Sequence, residues 1–182
     1  MEEIKDESLM YDDLKKAYIE NIKQYVEENG NMFAHISVFA KHKKDDKNGI
    51  IHIPINGEFL ESEESKDKFI DEIVPKIAKK IKEDFTTYGV AWVSEAWIRK
   101  TDASKKDALQ NWKKIPITGE VLLISMQFND RKDLITFDIV RNGKQVNDDG
   151  DLIDKVELIE TDLKGDSFSG RLSDLYEKFV ID

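Results

Sequence analysis

Cysteine is absent from all 182 residues, which removes disulfides, thiolate metal centres and cysteine nucleophiles together. Proline is scarce, at three residues, so few positions are barred from regular structure. No apolar run approaches the roughly 20 residues that a membrane-spanning helix needs. Met1-Glu2-Glu3-Ile4-Lys5-Asp6 lacks the basic-then-apolar order of a secretory signal. The glycine-rich nucleotide loops, the H-E-x-x-H zinc helix and the G-x-S-x-G elbow do not occur. These absences lead to the expectation of a soluble, cytoplasmic protein with no membrane partner and no cofactor.

What is present is charge. The 38 acids outnumber 28 bases, giving a formal net charge of -10. Such a balance argues against non-specific binding to nucleic acid or anionic lipid. The lysine tracts Lys41-His42-Lys43-Lys44 and Lys76 to Lys82 are diluted by acids, and the aromatics near them are spaced like core residues. Lysines interspersed through the acidic stretches also argue against a DNA mimic, which needs a continuous negative face. With 40% hydrophobic and 36% charged residues, the chain suits one folded domain with a solvated surface.

Periodicity orders the chain. Tyr11, Leu14, Tyr18, Ile22 and Tyr25 recur at helical spacing, and Asn29-Gly30 supplies a stop. Met32 to Lys41 alternates as a strand, Asp45 to Gly49 is turn chemistry, and Ile50 to Ile55 returns. Pro54 cannot donate to a ladder, which puts that second strand at a sheet edge or ends it there. Ser62 to Phe85 is helical around Phe69, Ile70, Ile73, Ile77 and Ile81, with a kink or two abutting helices expected at Pro75.

A strand around Glu95 follows, then a Lys-rich stretch from Thr101 to Lys114 that reads as a short helix or a loop. Glu120 to Phe128 and Leu134 to Arg141 form a hairpin, Asn142-Gly143 signals a further tight turn, and Leu152 to Glu160 is a sixth strand. Leu172, Leu175, Tyr176 and Phe179 close the chain as a short helix. The expected fold is a single α+β domain spanning residues 1–182. It has a mostly antiparallel or mixed sheet of about six strands, two longer helices and a short C-terminal helix. The helix before the Glu95 strand would serve as a crossover between parallel neighbours.

Glu95 is the leading candidate for chemistry. Val90, Trp92, Ser94, Ala96 and Ile98 share one face of their strand, and Ala91, Val93, Glu95 and Trp97 share the other. Apolar residues on both faces describe a central strand. A carboxylate between Val93 and Trp97 then needs a partner or a raised pKa. It reads either as a general acid, base or metal ligand, or as a structural carboxylate paired with Arg99, four residues along. Ser94 faces away from Glu95, so the two make a poor catalytic pair.

The three histidines, His35, His42 and His52, all fall in the first hairpin. With the turn centred on Asp46-Lys47, His52 lies near Lys41, His42 near Ile51, and His35 far up the strand. No metal site is expected from them. The acidic turn with Asp148, Asp149 and Asp151 offers the weakest of metal candidates. Placing Gly150 at the sixth position of a calcium loop puts Gln145 first and Val156 twelfth, where Asp and Glu are required.

Ala91, Val93, Ser94, Glu95, Ala96 and Trp97, followed by Glu120, Val121, Leu122 and Leu123, form a V-S-E-A-W strand and an E-V-L-L-I strand separated by a polar loop. Between Phe69 and Arg141 this arrangement resembles small uncharacterised bacterial and phage α+β proteins. The longer Lys105 to Trp112 segment departs from their compact loop. The resemblance implies a phage or mobile-element origin and no particular activity. With no catalytic signature and with Tyr88, Trp112 and Phe168 as surplus aromatics, the leading expectation is a non-enzymatic module. It would act through a protein partner or self-association. The alternatives are a small enzyme using Glu95 with acids from neighbouring strands, and an acidic DNA-mimic inhibitor.

Overall fold

The computed structural model describes residues 4–98, 115–129, 131–161 and 175–180, with the side chains of 4–10 and 98 left aside. The expected Thr101 to Lys114 stretch and the Arg99 partner of Glu95 lie outside these residues, as do Trp112, Phe168 and Leu172. The fold is α+β. Among the described residues six strands follow the order β2-β1-β3-β4-β5-β6, and every pairing whose register is described is antiparallel. The strands are β1 (His35–His42), β2 (Asn48–Pro54), β3 (Phe85–Ile98), β4 (Gly119–Phe128), β5 (Arg131–Val146) and β6 (Leu152–Thr161). The helices are α1 (Ile4–Asn29), α2 (Glu63–Lys68), α3 (Val74–Asp84) and α4 (Leu175–Val180). Among the described residues no helix is long and apolar enough to cross a membrane. The chain divides into two compact units, Phe33–Asp138 with Glu160–Asp182, and Met1–Met32 with Ile139–Ile159.

In the larger unit, Ile36, Val38 and Ala40 of β1, Val90 and Trp92 of β3, and Phe69, Ile70, Val74 and Ala78 form one buried cluster with Leu175 and Phe179. Helices therefore cover one face of the strands. Ser62 caps α2 through Ser65 N–H, with Ser65 returning the bond to the Ser62 backbone. A single π-turn, Phe69–Ile73, separates α2 from α3. Pro75 stands in the first turn of α3, where its missing N–H costs nothing in the helix that follows. The interruption expected at Pro75 is thus accommodated by a π-turn just ahead of it. Buried Gln127 ties α4 down, its Oε1 accepting from Tyr176 N–H at 2.9 Å.

The opposite face carries Phe39, Ala91, Val93, Leu122, Ile124 and Met126, all fully buried. That is the both-faces burial a central strand implies. β2 lies at the sheet edge and ends at Pro54, as the missing donor requires. The crossover expectation needs correction. β3 inserts antiparallel beside β1, so β2 and β3 flank β1 rather than pair with each other.

β3 also carries a bulge. Phe39 pairs with Gly89 and Ala40 with Thr87, leaving Tyr88 unpaired. The extra residue switches side-chain parity, so Phe85 packs against the same cluster as Val90 and Trp92. Gly89 is required beside it, because a Cβ there would come within 2.3 Å of the Phe128 ring.

In the smaller unit, α1 buries Tyr11, Tyr18, Ile22 and Val26. Tyr25, assigned to that stripe by spacing, is instead exposed, and Val26 takes its place one position on. Gly30 ends the helix at φ 75, its N–H bonding Val26 O at 2.7 Å. A Cβ on Gly30 would lie 2.8 Å from Asp154 O, so the backbones of the helix stop and β6 touch directly. Arg141 bonds Gly30 O at 2.6 Å, and Gln145 bonds Glu27 O at 2.6 Å. The Glu27 carbonyl is one that a helix C-terminus leaves without an internal partner.

The tight turn expected at Asn142-Gly143 does not form. Gly143 takes φ 89 inside the continuous strand β5. The reversal falls at Asn147–Asp151, where Asn147 N–H bonds Asp151 O at 2.9 Å and Gly150 adopts φ 87.

Candidate functional site

Antiparallel register decides which of the candidate side chains meet. β1 pairs with β3 as far as His35 opposite Val93, whereas β3 continues along β4 to Ile98 opposite Gly119. Beyond Val93, the described strand paired with β3 is therefore β4 alone. Glu95 lies on this overhang, opposite Leu122 and half-buried. Trp97, which the sequence pattern places in a covered strand, is 64% exposed. β1 does not extend beside it, whereas Trp92, within the paired stretch and packed on the opposite face against the buried cluster, is only 6% exposed. Ser94 serves the fold instead. Its Oγ accepts from the Trp92 indole N–H at 3.0 Å, which satisfies the one polar atom of a buried ring.

One row of polar side chains crosses the face away from α3 and α4. His52 of β2 is opposite Ser37 of β1. His35, two residues before Ser37, is opposite Val93. Glu95 follows Val93 by two, and Glu120 of β4, opposite Trp97, is its diagonal neighbour. Among the described strand partners, the acid that the register sets diagonal to Glu95 is Glu120. Among the described residues no group of three His, Asp or Glu side chains is arranged to hold a metal ion.

The histidines are where the structure departs most from the sequence pattern. The hairpin register places His52 opposite Ser37 and Asn48 opposite Lys41, which shifts the turn two residues toward the N-terminus of its expected centre. The cause lies in the turn itself. His42 N–H bonds Lys47 O at 2.8 Å and Asp46 N–H bonds His42 O at 3.0 Å. Asp46 takes φ 62, and the Asp45 carboxylate lies 2.7 Å from His42 Nδ1. That contact, with the Lys47 N–H and ammonium, holds the Asp45 carboxyl below its ordinary range.

The chain thus reverses immediately after His42, and His52 moves up the sheet to meet His35. Their rings stand edge to face with centroids 5.5 Å apart. Ser37 Oγ lies 2.8 Å from His52 Nδ1, and His35 Nδ1 lies 2.9 Å from the Phe33 carbonyl. Burial lowers the His35 pKa, the Phe33 bond opposes that, and proximity to His52 lowers it further. Sequence spacing could have found this pair only through the turn length, because parity alone already puts His35, Ser37 and His52 on one face in this register.

The acidic turn is an ordinary hairpin reversal. Asn147 Oδ1 accepts from Asp151 N–H at 2.7 Å, and Asp148, Asp149 and Asp151 are exposed. Asp154, just beyond, is held below its ordinary pKa by Lys144 at 2.6 Å and by Arg141. Asp154 is engaged in ion pairs, and among the described residues no three of these carboxylates are gathered as ligands.

Large exposed apolar side chains gather at the same end of the sheet as Glu95. Phe33, just ahead of β1, is 71% exposed; Ile117, just ahead of β4, is 47% exposed. Trp97, near the end of β3, joins them because antiparallel pairing brings the starts of β1 and β4 to the finish of β3. No family model matches the chain, and neither a curated protein nor a solved structure does so.

Proposed function

We propose that the protein is a non-enzymatic interaction module, contacting a protein partner or a second copy through the sheet end that carries Phe33, Trp97 and Ile117. The observation that supports this is the exposure of Trp97, at 64%, on a strand whose earlier tryptophan is buried. Exposing an indole to water forfeits roughly 25 cal/mol for each Å² left uncovered, and tryptophan is enriched among residues that dominate binding energy. A half-buried Glu95 and Glu120 beside it supply the polar rim that such patches carry.

The test is proximity crosslinking of the wild-type chain and of Trp97→Ser in cell extract, with sedimentation of each purified protein alongside. A protein, or a self-dimer, captured by the wild type and lost in the variant supports the reading. Identical capture and identical sedimentation would defeat it.

A second reading, a small enzyme using Glu95, is favoured by the polar row that sets His35 and Glu95 on one face. The two readings separate in Glu95→Gln. A binding rim tolerates the change, whereas a strained catalytic carboxylate gains stability when its charge is removed.

A further inference from the structure

We propose that the outer edge of β2 pairs with the β2 edge of a second copy of this chain, antiparallel and across a two-fold axis centred on Ile50. This surface is separate from the patch of Phe33, Trp97 and Ile117, and the inference does not depend on that reading.

The ladder with β1 fixes which β2 groups point outward. Its register runs without a shift from His35 opposite Pro54 to Lys41 opposite Asn48. Ile55 N–H bonds Ala34 O at 2.9 Å at one end, and His42 N–H bonds Lys47 O at 2.8 Å at the other. Bonded and non-bonded pairs alternate in an antiparallel ladder, so Gly49, Ile51 and Ile53 turn their backbone groups toward β1. Asn48, Ile50 and His52 turn theirs away, to a side on which β2 has no neighbouring strand among the described residues. All three are exposed.

Edges of this kind are ordinarily blunted by charge. β6, at the other end of the strand order, carries Asp154, Lys155, Glu157 and Glu160. β2 carries no charged residue from Asn48 to Pro54, in a chain of which 36% is charged. An interior strand excludes charge because both its sides are covered; β2 does so with one side open.

The outward residues are also self-complementary. With Ile50 opposite Ile50 of the copy, Asn48 stands opposite the copy's His52, and each outward N–H of these residues reaches a carbonyl of the other strand. No like charges come face to face. On the other side of the sheet Ile51 comes beside the copy's Gly49, where a Cβ would meet nothing within 4 Å. The flanking segments favour the same direction. Ahead of β2, Asp45 and Asp46 are paired with Lys47 and Lys41, which leaves Lys43 and Lys44 in excess. After it, Ile55 to Ser65 carries Glu58, Glu61, Glu63 and Glu64 and no base. Antiparallel pairing sets the basic end of one copy beside the acidic end of the other, and the two-fold contact closes at a dimer.

Sedimentation equilibrium of the full chain over a concentration series tests the pairing. The expected mass rises from one chain to two. Ile50→Lys, at a position 40% exposed, sets two ammonium groups opposite each other and weakens association by about tenfold or more. Ile50→Pro removes an outward N–H while sparing the β1 ladder, as Pro54 does at the strand's end, and weakens association likewise. A short bis-maleimide joins two copies of Ile50→Cys, the chain having no other cysteine, and adding Trp97→Ser leaves that yield unchanged. A single-chain mass at every concentration up to about 1 mM overturns the proposal and leaves the edge to an extended segment of a different protein. Association unaltered by Ile50→Lys overturns it too, as does a crosslink lost with Trp97→Ser. Far-ultraviolet circular dichroism checks each fold, and if Ile50→Pro fails that check, Ile50→Lys decides.

Discussion

Trp92→Ala and Trp97→Ala, compared in the same protein, test the extent of β3 that is interior. Trp92 is 6% exposed and Trp97 64%. Replacing tryptophan by alanine removes roughly 200 Å² of side-chain surface, worth about 25 cal/mol per Å² where it is buried. On that scale Trp92 loses about 4.7 kcal/mol and Trp97 about 1.8 kcal/mol, before the unfolded chain's own partial burial is discounted. After that discount the expected losses are about 3–4 kcal/mol for Trp92 and about 1 kcal/mol for Trp97. Trp92→Ala additionally leaves the Ser94 hydroxyl without its indole donor. Urea titration followed by circular dichroism reads both values, with equal slopes required for a like-for-like comparison. Equal losses for the two variants, or a larger one for Trp97, would refute the claim that the interior part of β3 stops short of Trp97, beyond the start of β1.

Gly143→Ala meets nothing within 4 Å but sits at φ 89, and should cost about 1 kcal/mol. Gly30→Ala, at φ 75 and 2.8 Å from Asp154 O, should cost clearly more in the same thermal melts. Calorimetry with Ca²⁺ should show no binding tighter than millimolar at Asn147 to Asp151, and micromolar affinity abolished by Asp149→Ala would contradict the hairpin-turn reading. Because burial lowers the His35 pKa below its ordinary value near 6.5, the folded state binds fewer protons than the unfolded state there. The stability from neutral His35 is thus present above pH about 6.5 and is lost as pH falls toward the folded pKa. His35→Gln should flatten the decline in melting temperature over that window. Glu95→Gln should cost about 1 kcal/mol or less, since a half-buried carboxylate is screened by solvent. A melting temperature above wild type would move the enzyme reading forward.

Alternation and punctuation make most of this fold legible in the amino-acid order. The β1–β2 and β4–β5 hairpins, the edge role of Pro54, the Gly30 stop and the interrupted helix at Pro75 each follow from one local rule, and each is present. The errors share a cause: they depend on how far a neighbour extends or where a turn begins. Trp97 sits in the same apolar alternation as Trp92, but on the opposite face and beyond the start of β1 at His35. Asn142-Gly143 carries a strong turn signal, yet Gly143 spends its positive φ within β5 and the chain reverses later. The His35–His52 encounter was hidden for a related reason. A two-residue displacement of the turn preserves every residue's face while changing which residues stand side by side.

The overhang of β3 has a consequence for local motion. Up to Val93 the strand is hydrogen-bonded from both sides, by β1 and β4. From Ser94 to Ile98 its described strand partner is β4 alone. Among the described residues the β1 ladder does not extend to alternate amides in that last stretch. They should exchange with deuterium through small fluctuations rather than through opening of the core. One strand thus joins two regimes of protection: a slow segment that anchors Trp92 and a faster one that holds Glu95 and Trp97. A partner that added a strand or a loop beside Ser94 to Ile98 would erase the boundary, and the slowing of those few amides would map its footprint.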